Sequence, residues 1–374
     1  MDKCFLYFLI VVSYFFSQDY LSAHHSSAPH FDREVDITLS GVITDLRLVN
    51  PHAYVYFDIV NELGAVTKWR CELSAATSLR RNGWTADNPI TVGSTVTING
   101  SPALREDNVC YLNFFITSEG VRVDRNGDLL ELGLSNLDAS DVRVYKKLSI
   151  DRPKYLSNGQ PNLTGNWVRV RGMGMGMGAI GLPAFLDMPI EFGDNGLPNR
   201  PSNNDLGKSI SSNWDYRFDN PALFCKVANI IHGWTHDYHV NEIIQHDDKI
   251  VLSYGYMDLV REIRLDISEH PVSIVPSEVG SSIGWWEGDE LVVDSIGFLP
   301  GVIIPIQGIV FSNQMHIIER FHIDYDSQQL IRSFLVEDQY FKSPYASQDR
   351  MAPSDKPREP YGCVELAGSN NQRL

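Results

Sequence analysis

From Ile37 the chain reads as short, apolar-rich runs bounded by turn residues, the pattern of strands rather than of long helices. Ile37-Thr-Leu-Ser-Gly-Val-Ile-Thr-Asp-Leu46 is the first clear run, and Gly41 within it predicts a bend or bulge. Ala53 to Val60 reads as a second strand, and Asn61-Glu-Leu-Gly64 turns it into a third over Ala65 to Glu72. Ser74 is placed to cap a short helix, Ala75 to Arg81, that Asn82-Gly83 stops. Two further strands are predicted over Ser94 to Asn99 and Val109 to Ile116. The order β-β-β-α-β-β over about 80 residues is that of an OB-fold barrel.

Periodicity fades over 123–160, where Asp151-Arg-Pro153 and Ser157-Asn-Gly-Gln-Pro161 break the chain, so this stretch reads as a linker between domains at 24–122 and 161–374. Beyond it the alternation returns and is expected to persist. Strands are predicted at Ile243-Ile244, Lys249 to Tyr254, Val260 to Asp266, Glu290 to Asp294, His316 to Ile323 and Gln329 to Glu337. Turn signals recur roughly every ten residues, which favours an antiparallel barrel or sandwich. The fold class is therefore all-β: an OB-like small barrel followed by a larger, antiparallel, lipocalin-like β-barrel or sandwich.

The leader changes the compartment. Cys4 to Phe16 is an apolar run of 13 residues behind Asp2 and Lys3, too short to span a bilayer and suited to a signal-peptide core. Leu21-Ser22-Ala23 offers a small-residue cleavage site, so residues 1–23 read as a cleaved signal peptide and the mature chain as periplasmic or secreted, with no transmembrane segment. Cleavage would leave Cys71, Cys110, Cys225 and Cys363, an even set that suggests disulfides and allows three pairings. Cys71 and Cys110 fall on neighbouring elements of one small barrel and are the natural first pair. Cys225 with Cys363 would then tie the tail to the start of the larger barrel.

Charge narrows the partners. The formal net charge is −16, and residues 24–122 hold 8 Lys/Arg against 11 Asp/Glu. Without a basic groove the small barrel is not expected to bind nucleic acid.

Two stretches resemble family patterns. Ala23-His24-His25-Ser26, Gly41-Val42-Ile43, Asn50-Pro51-His52, Trp69, Gly83-Trp84 and Gly93 through Gly100 resemble a small domain of unknown function found in exported bacterial proteins. Ser282-Ile-Gly-Trp-Trp-Glu-Gly-Asp-Glu-Leu-Val-Val-Asp294, Glu319-Arg320-Phe321 and Val336-Glu337-Asp338 are similar to the β domain often fused behind it. The chain departs from that pattern at Trp285, where a polar residue is expected, and at Glu290, where Thr is usual. The resemblance implies export and this two-part architecture; it implies no chemistry.

Candidate chemistry is sparse. His232 and His236 would share one face of a helix or a strand, where they could hold a metal or form the polar rim of a ligand pocket, with His239 following, but the Glu of a zinc-protease motif is missing and Gly233 disfavours helix. No Gly-x-Ser-x-Gly elbow is present, and Gly172-Met-Gly-Met-Gly-Met-Gly178 lacks the Lys-Ser/Thr end of a phosphate loop. Its methionines suit copper, or simply a soft apolar flap. Trp285 and Trp286 at a hairpin should point to opposite faces, so one could line a cavity mouth with Glu287, Arg320 and Asp338 as polar fixings. Cleavage after Ala23 would expose His24 as the first residue, and its α-amine with His24, His25 and His52 would suit Cu(II). The expected function is binding of a small, partly apolar molecule in the larger barrel. The alternatives are a hydrolase or isomerase using the same cavity, and periplasmic copper binding.

Overall fold

The computed structural model describes residues 30–85, 90, 92–137, 153–169, 201–236 and 239–365, and they form two β-barrels. In the first barrel β1 (Ile37–Arg47), β2 (Tyr54–Val60) and β3 (Val66–Glu72) form a meander. Helix α1 (Ala76–Arg81) leads to β4 (Thr95–Pro102) and β5 (Val109–Thr117). β4 pairs with β1, and β3 closes on β5 in parallel, which is the closure expected of an OB-like barrel. A short strand, β6 (Arg122–Asp124), extends the sheet beyond β5.

Gly41 has a steric reason to be glycine. A Cβ there would sit 2.6 Å from the Asp58 carbonyl oxygen on β2. The break in register lies just beyond it, between Ile43 and Asp45. The helix starts differently from the sequence expectation: its N-cap is Ala75, with no side-chain cap, because Ser74 instead hydrogen-bonds Asn126 and receives Arg125. Its end is as expected, with Asn82 as C-cap and Gly83 at φ 83°.

Val55, Phe57, Ile98, Leu112 and Phe115 fill the small barrel, and Trp84 and Leu129 close it. Trp84 Nε1 donates to the Gly127 carbonyl at 2.9 Å, so residues just past β6, inside the stretch read as linker, pack as part of this barrel.

The second barrel takes its first six strands from β7 (Gly165–Arg169), β8 (Val240–Gln245), β9 (Lys249–Ser253), β10 (Val260–Arg264), β11 (Ser281–Glu287) and β12 (Glu290–Ile296). A small hairpin, β13 (Gly301–Ile304) with β14 (Ile309–Phe311), then forms a separate two-stranded sheet. The last three barrel strands are β15 (His316–Asp324), β16 (Gln329–Glu337) and β17 (Tyr345–Pro353). The nine close in the order β10-β11-β12-β15-β16-β17-β7-β8-β9. An odd number of strands cannot alternate direction throughout, and the one parallel seam is β10 with β11. The stretch read as uniformly β also contains short helices: α2 (Asp205–Ile210), α3 (Tyr216–Asp219) and α4 (Ile230–Gly233). Asn204 and Asn229 cap α2 and α4.

The register of the barrel decides what lies inside. Leu291 and Val293 pair with Phe321 and Glu319, and those in turn with Arg332 and Phe334. Partners across a ladder share a face, so all six point to one side. All six are at most 2% exposed, so this is the inner face. Trp167, Ile243, Leu252, Ile263 and Ile317 add apolar layers to this inward-facing set.

A charged layer crosses that core. Arg261 Nη1 lies 2.6 Å from one Glu319 oxygen, Arg332 Nη1 lies 3.3 Å from the other, and Arg332 also pairs with Asp349. Arg261 donates as well to the hydroxyls of Ser282 and Ser295. Burial pushes Asp349 up; Arg332 opposes that without cancelling it.

Candidate functional site

Among the described residues, an opening lies between the two barrels. It is a cleft of about 620 Å³, within the size range of small-molecule sites. One wall belongs to the small barrel: Leu46 at the end of β1, Leu48 just beyond it, and Thr77, Arg80 and Arg81 of α1. Arg80 lies against the loop, donating through Nη2 to the Leu48 carbonyl at 3.1 Å. The opposite wall is the C-terminal tail, Lys356, Pro357, Glu359 and Pro360, with His239 and Val240 at the start of β8.

The tail is strapped in place at three points. Asp258 accepts the Tyr361 amide at 3.1 and 3.0 Å and pairs with Arg358 at 2.9 Å. Cys363 is bonded to Cys225. Asn50, buried in the small barrel, donates through Nδ2 to the Tyr361 carbonyl at 2.6 Å, and its own carbonyl accepts the Val364 amide at 2.9 Å. Behind the wall Tyr361 packs edge-on against Tyr256 and His239, with ring centres 5.2 and 4.8 Å apart. The second disulfide joins Cys71 of β3 to Cys110 of β5 inside the small barrel, so both pairs expected from position are formed.

The residues singled out from sequence are scattered about this frame. Trp285, Glu287 and Arg320 come together, but on the outer face of the large barrel. Arg320 Nη1 is 2.8 Å from Glu287 and 2.8 Å from Glu290, and Trp285 Nε1 donates to Glu287 at 2.9 Å. Trp286 points the other way and packs against the core, as two adjacent strand residues must. Asp338 holds a loop, accepting from the Ser312 amide and hydroxyl and from the Tyr340 amide. His232 stacks on Tyr345 at the end of the barrel, and His236 packs on Tyr256 with ring centres 4.1 Å apart. The two histidines therefore have different ring neighbours: the helix ends at Gly233, one residue after His232.

Of the proposed copper ligands, His24 and His25 lie outside the described residues, as does the methionine run. His52 Nδ1 is paired with Glu72, which Arg125 also reaches at 3.2 Å. Burial would push Glu72 up, but His52 and Arg125 win and hold its carboxyl below the usual range. Among the described residues no group of three or more His, Cys, Asp or Glu is placed to hold a metal ion.

Sequence patterns do not reveal the cleft, because its walls come from opposite ends of the chain. The available signals are faint: the paired Arg80-Arg81 in a barrel with few cations, and the Pro-interrupted tail at 356–360. No helix among the described residues is long and apolar enough to cross a membrane. Comparison with known proteins adds little chemistry. No curated protein matches the chain. Residues 16–110, which reach from ahead of β1 into β5, match the model of a family of unknown function (DUF6152).

Proposed function

We propose that the protein is exported and binds a small, partly apolar molecule in the cleft between its two barrels. The observation that carries this reading is the cleft itself: about 620 Å³ of space with apolar residues from both domains and polar groups at a few points. The tryptophan pair does not favour the large barrel's interior: Trp285 lies on its outer face and Trp286 packs on the core. The strap of disulfide, ion pair and hydrogen bonds favours a preformed site, which lowers the ordering cost of binding. The apolar leader and the two disulfides support export to an oxidising compartment. The test is titration of the neutral fluorophore N-phenyl-1-naphthylamine into the oxidised protein. Saturable enhancement is expected, lost in Leu48→Asp with an unchanged circular dichroism spectrum. Enhancement that Leu48→Asp leaves intact would place binding elsewhere.

A further inference from the structure

We propose that the disulfide between Cys225 and Cys363 is a redox latch, opened by a dithiol reductant while both barrels stay folded. Its opening frees the tail that walls the cleft. The latch itself involves no ligand, and only its effect on binding rests on the cleft reading above. The two disulfides differ in setting. Cys71 and Cys110 are partners across β3 and β5, and both are fully buried in the core of the small barrel. Cys225 and Cys363 are both partly exposed and lie outside the strands. Thiol–disulfide exchange requires that a thiolate reach a sulfur, so the exposed pair is the labile one.

The tail is built to be held from its flanks. Beyond Pro353, the end of β17, its described residues join neither barrel sheet and meet Asn50 at an isolated bridge with Cys363. Asp258 holds Arg358 and the Tyr361 amide, and Asn50 holds Tyr361 and Val364. The tail's anchors on the large-barrel side stand on unfavourable backbone. Cys225 has φ 54°, and Met257 and Asp258 have φ 58° and 53°. Three of the five non-glycine residues with positive φ among the described residues therefore lie at this one corner. Such residues persist only where their surroundings hold them, and they gather at switch regions.

The opening step is an exchange. One thiolate of the reductant attacks a sulfur of the pair, forms a mixed disulfide and displaces the other cysteine as thiolate. The second thiolate of the reductant then closes its own disulfide and frees the first cysteine. Two electrons pass to the Cys225–Cys363 pair, and two protons complete its thiols. For an exported protein the class of reductant is a Cys-x-x-Cys oxidoreductase. With the latch open, Lys356, Pro357, Glu359 and Pro360 are free to leave the cleft wall.

The experiment treats the oxidised protein with dithiothreitol in native buffer. Maleimide labelling with peptide mapping reads the thiols, circular dichroism reads the fold, and tryptic cleavage after Arg358 reads the tail. Cys225 and Cys363 should label while Cys71 and Cys110 stay paired, with the spectrum unchanged and cleavage about tenfold faster. Cys225→Ser with Cys363→Ser should be cleaved equally fast without reductant; if that variant does not fold, the reduced wild type decides alone. Labelling of all four cysteines together, or of none short of unfolding, would overturn the latch. Selective reduction with cleavage unchanged would overturn it as well, because Asp258 and Asn50 would then hold the tail without it. None of these readouts uses a ligand, so failure of the latch is distinct from failure of the fluorophore titration that tests the cleft.

Discussion

Asn50 and Tyr361 are 311 positions apart, yet the side chain of one donates to the carbonyl of the other in a buried hydrogen bond of 2.6 Å. Asn50 also accepts the Thr77 amide at 3.3 Å, so one side chain links the tail to the helix that carries Arg80 and Arg81. The two walls of the cleft are thus fixed to each other at one buried residue, through its side chain and through its backbone carbonyl, which accepts the Val364 amide.

Asn50→Ala should loosen that link. A buried carbonyl and amide that lose their partner cost about 1–3 kcal/mol. The unfolding free energy from urea titration should fall by that amount, and proteolysis should begin in the tail around 356–360. A variant with unchanged stability and an unchanged cleavage pattern would show that the Asn50 side chain does not hold the tail, leaving Asp258, the disulfide and the backbone bond from Val364 to do so.

Glu319 is fully buried between Arg261 and Arg332, so Glu319→Ala leaves two buried guanidinium groups facing each other. Removing one partner of a buried ion pair costs roughly 3–5 kcal/mol. The variant should lose most of its thermal stability, and Glu319→Gln should recover part of it by keeping hydrogen-bond acceptance. Equal loss in both would mean that shape, not charge, is what the position supplies.

On the outer face His316 and His270 share one Asp294 oxygen, at 2.9 and 3.2 Å, with Glu337 3.6 Å from the other side of His316. The Asp294 hydrogen bond raises His316. Burial would push Asp294 up, but the two histidines outweigh it and hold it down. The contribution of His316 is present in full below the ordinary imidazole value and fades as pH rises through its raised one. That of Asp294 is present above the ordinary carboxyl value and fades as pH falls through its lowered one. The cluster should therefore stabilise most between about pH 4 and 6.5. Urea midpoints of wild type and His316→Ala should differ most in that window and converge as pH rises through the raised value of His316. A constant offset at every pH would show that the cluster does not titrate with folding.

Trp285 and Trp286 separate the two faces of β11. Trp285 is 40% exposed, so Trp285→Ala should cost under about 1 kcal/mol, mainly the Glu287 hydrogen bond. Trp286 packs on the core, and Trp286→Ala should cost about 3 kcal/mol. Similar costs in thermal melts would contradict the alternation on which the barrel register rests.

Alternation makes most strands legible in the sequence. Gln329 to Glu337 is a strand with the bounds its pattern predicts, and the β-β-β-α-β-β order leads directly to the small barrel. The helices at Asp205–Ile210, Tyr216–Asp219 and Ile230–Gly233 are not legible, because six or four residues are too few to display a helical period. Ser74 has the look of a helix cap, but its competing partners, Arg125 and Asn126, lie about 50 positions away and leave no local sign. The pattern does bring Trp285 and Arg320 near Glu287, yet a period of two separates faces without saying which one turns inward. The cleft is hidden for a plainer reason: Arg81 and Lys356 belong to one site only because the tail returns to the first barrel.

The central claim is that a small ligand sits between the barrels. Hydrogen–deuterium exchange on the oxidised protein, with and without saturating N-phenyl-1-naphthylamine, tests it most directly. Added protection is expected in peptides covering Leu46 to Leu48, Thr77 to Thr85, the start of β8 and Lys356 to Tyr361, with β11, β12, β15 and β16 unchanged. Protection confined to β11, β12, β15 and β16, or none anywhere, would contradict the account.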